Sequence, residues 1–299
     1  MNNKIIIAVV AIALISGSVL LLKGKTAIPS SNSTIAAKKE LIPETSITHG
    51  HGLAVDAVDS SKVYIATHHG LLVLVNDIDL YAVGESKDDY MGFSPNLKDA
   101  KVFFSSGHPE EGGNIGFQQS TDGGFTWKKV SNGLGGPVDF HGMAVSPLNP
   151  SLVFGWYQGN VQRSMDGGKN WQKFSTPGPF VALSSDTQDE NIVYAASPLG
   201  LFKSQNKGET WEKLVEGFVS AIAIHPTNSQ TLIISSEKYG LGKSTDGGKT
   251  WQPSNQDFGG ESPLFIAFST QDPAIVYFLT EKNSVYKSTN GGDIWTKIR

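Results

Sequence analysis

Six of the seven histidines lie between positions 49 and 141, and acidic residues sit beside them. His49, His51, His68, His69, His108 and His141 share this half of the chain with Asp88, Asp89, Glu110, Glu111 and Asp139. Neutral imidazoles joined by a carboxylate are a ligand set for zinc, copper or nickel. The chain has no H-E-x-x-H run and no cysteine. A metal site here therefore has to be assembled by the fold from distant positions. His51-Gly52-Leu53-Ala54-Val55 and His141-Gly142-Met143-Ala144-Val145 are near copies. Copying of that kind points to an internal repeat, and the repeat decides where these side chains end up.

The elements that must position them are clearest further along. Ser120-Thr121-Asp122-Gly123-Gly124-Phe125-Thr126-Trp127 recurs at Ser164 to Trp171, Ser204 to Trp211, Ser244 to Trp251 and Ser288 to Trp295. The starts are 44, 40, 40 and 44 residues apart, a period that signals a propeller, solenoid or array. In this S-x-D/N-x-G-x-T-W box the Asp or Asn side chain accepts hydrogen bonds from nearby amides while Gly supplies a positive φ, closing a tight turn. The Trp then opens the next strand and lays its apolar face on the hairpin. The box residues Asp122, Trp127, Asp166, Trp171, Asn206, Trp211, Asp246, Trp251, Asn290 and Trp295 are thus expected to be structural, with the five indoles buried.

From residue 48 onward the chain divides into six units of about forty residues, each with four short strands bounded by Gly, Pro and Asn. In the third unit these are Met143 to Ser146, Leu152 to Trp156, Val161 to Ser164 and Trp171 to Phe174. The first unit carries Asn76-Asp77-Ile78-Asp79 in place of a box. Four-stranded units at this period are propeller blades. The expected fold class is all-β, a six-bladed β-propeller preceded by one hydrophobic helix.

That helix is read from Ile5 to Leu22, 18 residues without charge. It would span about 27 Å, close to a bilayer's hydrocarbon core. No A-x-A-like cleavage site follows directly, which favours an uncleaved anchor over a cleaved signal peptide. Either way the remainder is exported, to the outer side of the cell membrane or beyond it. The expected organisation is a signal anchor or signal peptide over 1–24, a linker over 25–47 and the propeller over 48–299, with Ile35 to Ile42 able to add an outer strand. A formal net charge of −4 lacks the basic balance of nucleic-acid binding. The absence of cysteine excludes disulfides, a thiol nucleophile and a cysteine-linked lipid anchor.

The boxes at blade spacing resemble the BNR or Asp-box family. That family includes sialidases, sortilin-type receptors, xyloglucan-hydrolysing double propellers and photosystem II assembly-factor propellers. The resemblance covers the blades and implies that the boxes lie peripherally, on the face opposite the binding or active site. Its sialidases hold the substrate carboxylate with three arginines, whose bidentate geometry lysine does not replace. Among 24 basic residues this chain has only Arg163 and Arg299, so the resemblance points to a non-sialidase member. A different glycoside hydrolase needs only two carboxylates and is the alternative to a binding module.

In a propeller the loops before the first strand and after the second strand of each blade share one face. His49, His51 and His141 precede or begin first strands, and His68, His69 and His108 lie after second strands. Only His225 maps to the opposite face. Counting back along first strands, His51, Asp89 and His141 share a slot that holds Pro179, Ser220 and Leu264 in the other blades. His69 and His108 share another. The expected site is His49, His51, His69, Asp89, His108 and His141 around the channel mouth. Three readings stand: a transition metal (zinc or copper), a polar organic ligand, or hydrogen bonding to loops around a wet channel. The function read from this is an extracytoplasmic module, tethered to the membrane by the N-terminal helix, that binds a metal, protein or carbohydrate ligand through its histidine-bearing face. Metal occupancy would fall as pH drops through about 6.5, where imidazoles take up protons.

Overall fold

The computed structural model describes residues 39–299 as six antiparallel sheets arranged in a ring. Blade 1 holds β1 (Leu41–Pro43), β2 (Gly50–Val55), β3 (Lys62–Thr67), β4 (Gly70–Val75) and β5 (Asp79–Val83). Blade 2 holds β6 (Asp89–Pro95), β7 (Phe103–His108), β8 (Phe117–Ser120) and β9 (Lys128–Ser131), and blade 3 holds β10 (Gly142–Val145), β11 (Val153–Tyr157), β12 (Asn160–Ser164) and β13 (Gln172–Ser175). Blades 4, 5 and 6 begin on β14 (Ala182–Ser185), β18 (Val219–Ile224) and β22 (Pro263–Phe268). Each of these six first strands touches the next, and β22 touches β2, so they close a ring around a central channel. Among the described residues no helix is long and apolar enough to cross a membrane. The apolar run Ile5 to Leu22 lies outside them. Leu41–Pro43, inside the stretch expected as linker, pairs with β5 as a fifth, outermost strand.

Strand composition follows from the stacking of blades. An inner strand is covered on both faces, so it reads as a continuous apolar run instead of alternating. In β18, Val-Ser-Ala-Ile-Ala-Ile is buried at every position. Outer strands such as β9 and β13 have one covered side at most and are largely exposed. The axis is closed by Leu53, Phe93, Met143, Leu183, Ile222 and Ile266, one from each blade. This apolar waist separates a cavity of about 180 Å³ on one side from one of about 100 Å³ on the other, the latter reaching His51 and His141.

The boxes form the turns between third and fourth strands. In the first, Ser120 Oγ donates to Asp122 Oδ1 and accepts from Gly124 N (2.9 Å each). Asp122 also accepts from Thr126 N at 2.9 Å and Thr126 Oγ1 at 2.7 Å, and Trp127 Nε1 donates to Gly124 O at 3.0 Å. The same bonds to Asp166 and Asp246 hold those carboxyls down at about 2. The second glycine of the box also docks it on the preceding blade. A Cβ at Gly124 would meet Leu71 at 2.4 Å, and one at Gly168 would meet Phe117 at 2.0 Å. Trp251 and Trp295 are buried as expected, but Trp127, Trp171 and Trp211 are only half-buried. Four of the five indoles donate to their box glycine carbonyl, whereas Trp211 Nε1 has no partner.

Blades 6 and 1 meet without exchanging a strand. Leu53, Val55, Ile65 and Leu74 pack with Tyr277, Leu279 and Val285 in one core cluster. Around it, Asp77 accepts from Tyr277 Oη at 2.9 Å and from Lys287 Nζ at 2.6 Å. The box-less turn of blade 1 provides that carboxylate, with Asn76 and Asp77 both at positive φ.

Candidate functional site

Every member of the histidine group sits where a first or second strand meets one face of the ring. His49 precedes β2 and His51 lies within it. His68 is in the β3–β4 turn, Asp89 opens β6, His108 ends β7, and Asp139 and His141 immediately precede β10. The backbone fixes these starts. Gly50 N donates to Asn283 Oδ1 at 3.0 Å, and Gly70 N donates to Asp88 O at 3.0 Å, tying the β3–β4 turn to the segment that carries Asp89. Gly70 has φ +103°, and a Cβ there would meet Ser86 O at 2.5 Å, so this close approach requires glycine. Phe140, fully buried, donates its N–H to Ser106 Oγ at 2.7 Å and pins Asp139 and His141 against blade 2.

Two groups result. In the first, one ligand atom from each of His49, His51 and His68 lies within 4.8 Å of the others. The His51 ring centroid is 4.3 Å from that of His68 and 4.9 Å from that of His49. His51 Nε2 is buried without a hydrogen-bond partner. Asp89 Oδ2 lies 2.5 Å from His68 Nδ1, holding that ring by a carboxylate. In the second group, Asp139 Oδ2 lies 2.9 Å from His141 Nε2 and 3.1 Å from His108 Nε2. His108 Nδ1 lies 2.7 Å from Gly113 O.

The electrostatics differ between the groups. Burial lowers His51 to about 3, with the imidazoles of His68, His49 and His141 adding to the shift; it is held neutral. Its hydrogen bond to Asp139 raises His141 against the opposing effect of burial. Burial pushes the Asp89 carboxyl up, only partly offset by His68. Burial also acts upward on Asp139, but His141 and His108 outweigh it and hold that carboxyl below the ordinary range.

The structure therefore brings together His49, His51, Asp89, His108 and His141 from the expected set, and adds His68 and Asp139. His69 stands apart: its ring is 6.3 Å from that of His68 and it is not part of the converging group. The reason is loop length. Thr67 pairs directly with Gly70, leaving a two-residue turn in blade 1, whereas residues 109–116 separate β7 from β8 in blade 2. Positions counted as equivalent across loops of such different length do not coincide. Asp89 is offset too: strand pairing matches Pro95 with Val55 and Val145, which sets Asp89 two positions further back along its strand than His51 and His141. His68 is the neighbour of a residue already singled out, and Asp139 lies two before His141, so their presence was visible but not their roles. Asp88 accepts from Glu110 N, and Glu110 and Glu111 are exposed outside the cluster. His225 is on the far face, against Phe268.

Residues 199–299 match the family model described as "Sortilin, neurotensin receptor 3". No curated protein matches the chain. Among solved structures, an ancestral GH74 enzyme is similar at 16% identity and TM-score 0.57, over 87% of this chain and 39% of that one. The GH74 xyloglucanase of Xanthomonas campestris gives 15% and 0.57, over 86% and 46%. YCF48 from Cyanidioschyzon merolae gives 17% and 0.57, over 86% of this chain and 87% of that one. The chain spans less than half the length of these GH74 enzymes, and at such identities the likeness is one of fold. By its sheets, its repeated turns and these likenesses, the chain has the fold of a six-bladed β-propeller.

Proposed function

We propose that the protein is an extracytoplasmic binding module, tethered by its apolar N-terminal run, that holds a transition-metal ion on its histidine-bearing face. The observation that carries this reading is the convergence of His49, His51 and His68. One of the three nitrogens on offer is buried and unpartnered, a costly state that a metal ion relieves. Four-coordinate zinc sets its nitrogen ligands about 3.4 Å apart, so small rotations of the exposed His49 and His68 rings close the group on an ion. Asp89 against His68 Nδ1 is the carboxylate that metal-binding histidines commonly carry, fixing the tautomer and leaving Nε2 free to ligate. Three nitrogens suit zinc or copper better than magnesium or calcium. Both buried carboxylates oppose imidazoles, which supports ligation over a pair standing free across a sugar-binding cleft.

The test is elemental analysis of the untagged full-length chain after dialysis against micromolar zinc or copper. Stoichiometric metal is expected, with His51→Ala weakening binding at least tenfold and His225→Ala leaving it unchanged. Protein that emerges free of both metals overturns the reading.

A further inference from the structure

The fourth strands repeat as the boxes before them do, and one departs. Three residues after the box Trp stands Val130, Phe174, Leu214, Ser254 or Ile298. The four apolar residues are half-buried and cover the seam between their own blade and the next. Val130, Leu214 and Ile298 pack on the core clusters of the seams between blades 2 and 3, 4 and 5, and 6 and 1. A Cβ at Gly248, in the box of blade 5, would meet Leu214 at 3.2 Å. Phe174 lies under Arg163, whose guanidinium donates to Lys207 O in the box of blade 4 at 3.1 Å.

At the seam between blades 5 and 6 that cover is missing. The third strand there is β20 (Gly240–Ser244), and the fourth, β21 (Gln252–Pro253), has only two residues. It pairs with β20 at two positions, where β13 pairs with β12 at four. Beyond it the Gln256 side chain bridges to blade 6, donating to Trp295 O at 2.6 Å and accepting from Trp295 N at 2.9 Å. A cavity of about 290 Å³ is left, lined by the buried Ile233 and Leu241 together with Ser254, Gly292 and Ile294. Ile294 is the second departure. Its box position holds Thr126, Asn170, Thr210 and Thr250 in the other boxes, and each of those side chains bonds to the Asp or Asn of its box. Ile294 gives up that bond and stands 65% exposed in the cavity lining.

We propose that this seam is a binding site for a small uncharged molecule bearing an apolar group of valine to phenylalanine size. The repeat indicates the occupant, since a side chain of that kind fills the equivalent place at four other seams. Uncharged is required because the lining's two charges, Lys243 and Asp293, neutralise each other at 2.8 Å. The exposed amides of Gln252 and Asn255 also line the cavity and suit a hydrogen-bonding remainder. The site shares no residue with the histidine group and stands or falls apart from the metal.

The probe is isoamyl alcohol, a leucine-like branched chain on a hydroxyl, titrated into the full-length protein. Trp295 reports on it, because a Cβ at Gly292 in the lining would meet that ring at 3.4 Å. Its indole N–H resonance is expected to shift saturably with the alcohol and not with glycerol. Ser254→Leu, which restores the residue type of the repeat, is expected to abolish the shift, and Ile294→Thr to weaken affinity about threefold through lost apolar contact. Circular dichroism melts identify any variant that fails to fold, and Ile294→Thr on the exposed side chain keeps the test open if Ser254→Leu does not. A shift that never saturates, an equal response to glycerol, or equal affinity in the wild type and the folded variants overturns the site.

Discussion

His51 and His141 have nearly the same local sequence, yet their surroundings push their protons in opposite directions. Around His51, burial and neighbouring imidazoles disfavour the cation and lower it to about 3. Around His141, a hydrogen-bonded carboxylate favours the cation and raises it above the ordinary 6.5. The signs for stability follow. A group lowered in the fold binds fewer protons there than in the unfolded chain, so His51 costs stability as pH falls from about 6.5 towards 3. A group raised in the fold does the reverse, so His141 contributes stability below 6.5 that is lost as pH rises through its folded value. Imidazole carbon-bound proton shifts in the metal-free protein read this directly. His141 is expected to titrate above the ordinary value, and His51 to show no step between pH 7 and 4. Two superposable titration curves would contradict the environments described.

At the scale of the element, the box is a closed set of bonds within eight residues, which is why it is legible in the sequence. In the first box Ser120, Asp122, Gly124 and Trp127 each have a partner inside the motif, so the spacing of these residue types implies the turn. The depth of each indole is not so written. Trp295 is 2% exposed among Phe278 and Tyr286, whereas Trp127 is half-buried at the edge of its cluster. Trp295→Ala is expected to cost about 3–5 kcal/mol through lost burial and the cavity left behind, and Trp127→Ala distinctly less. Urea denaturation of the two variants makes the comparison, and equal losses would mean that the motif, not its depth, sets the energy. The candidate site was legible in part for a related reason. Register along first strands follows from their period and brought His51 and His141 to one face. The choice of His68 over His69 depends on a two-residue turn, and the pairing register of β6 sets Asp89 back from His51 and His141. Both are decided by backbone conformation, which residue counting does not carry.

At the scale of the molecule, the ring is divided by its apolar waist into two cups, and the histidine group lies at the rim of the smaller one. The side chains of the waist come from all six blades, while the histidines and their carboxylates come from the first three. Blades 1, 2 and 3 are joined by consecutive chain, so the site does not straddle the place where the ring closes. That closure relies on packing and on side-chain bonds such as those of Asp77. Arg299 adds two more, donating to Thr45 O at 2.6 Å and to Ile78 O at 3.3 Å.

The hydrogen bond from Arg299 to Thr45 O brings the last strand of blade 6 beside the segment that leads into blade 1. Because those positions adjoin, a short Gly/Ser link from Arg299 back to Glu44 is expected to be tolerated. Gly259 and Gly260 lie between blades 5 and 6 at positive φ, with nothing within 4 Å of an added Cβ, so the chain can be cut there at small cost. A circular permutant running 260–299, link, 44–259 would begin with blade 6 and end with blade 5. It is expected to show the near-ultraviolet dichroism of the parent propeller and a cooperative melt. A permutant that stays unfolded would mean that the break between the last and first blades is a designated boundary of the architecture. A folded one would mean that the blades are cyclic neighbours without a first member, and that their numbering belongs to the chain alone.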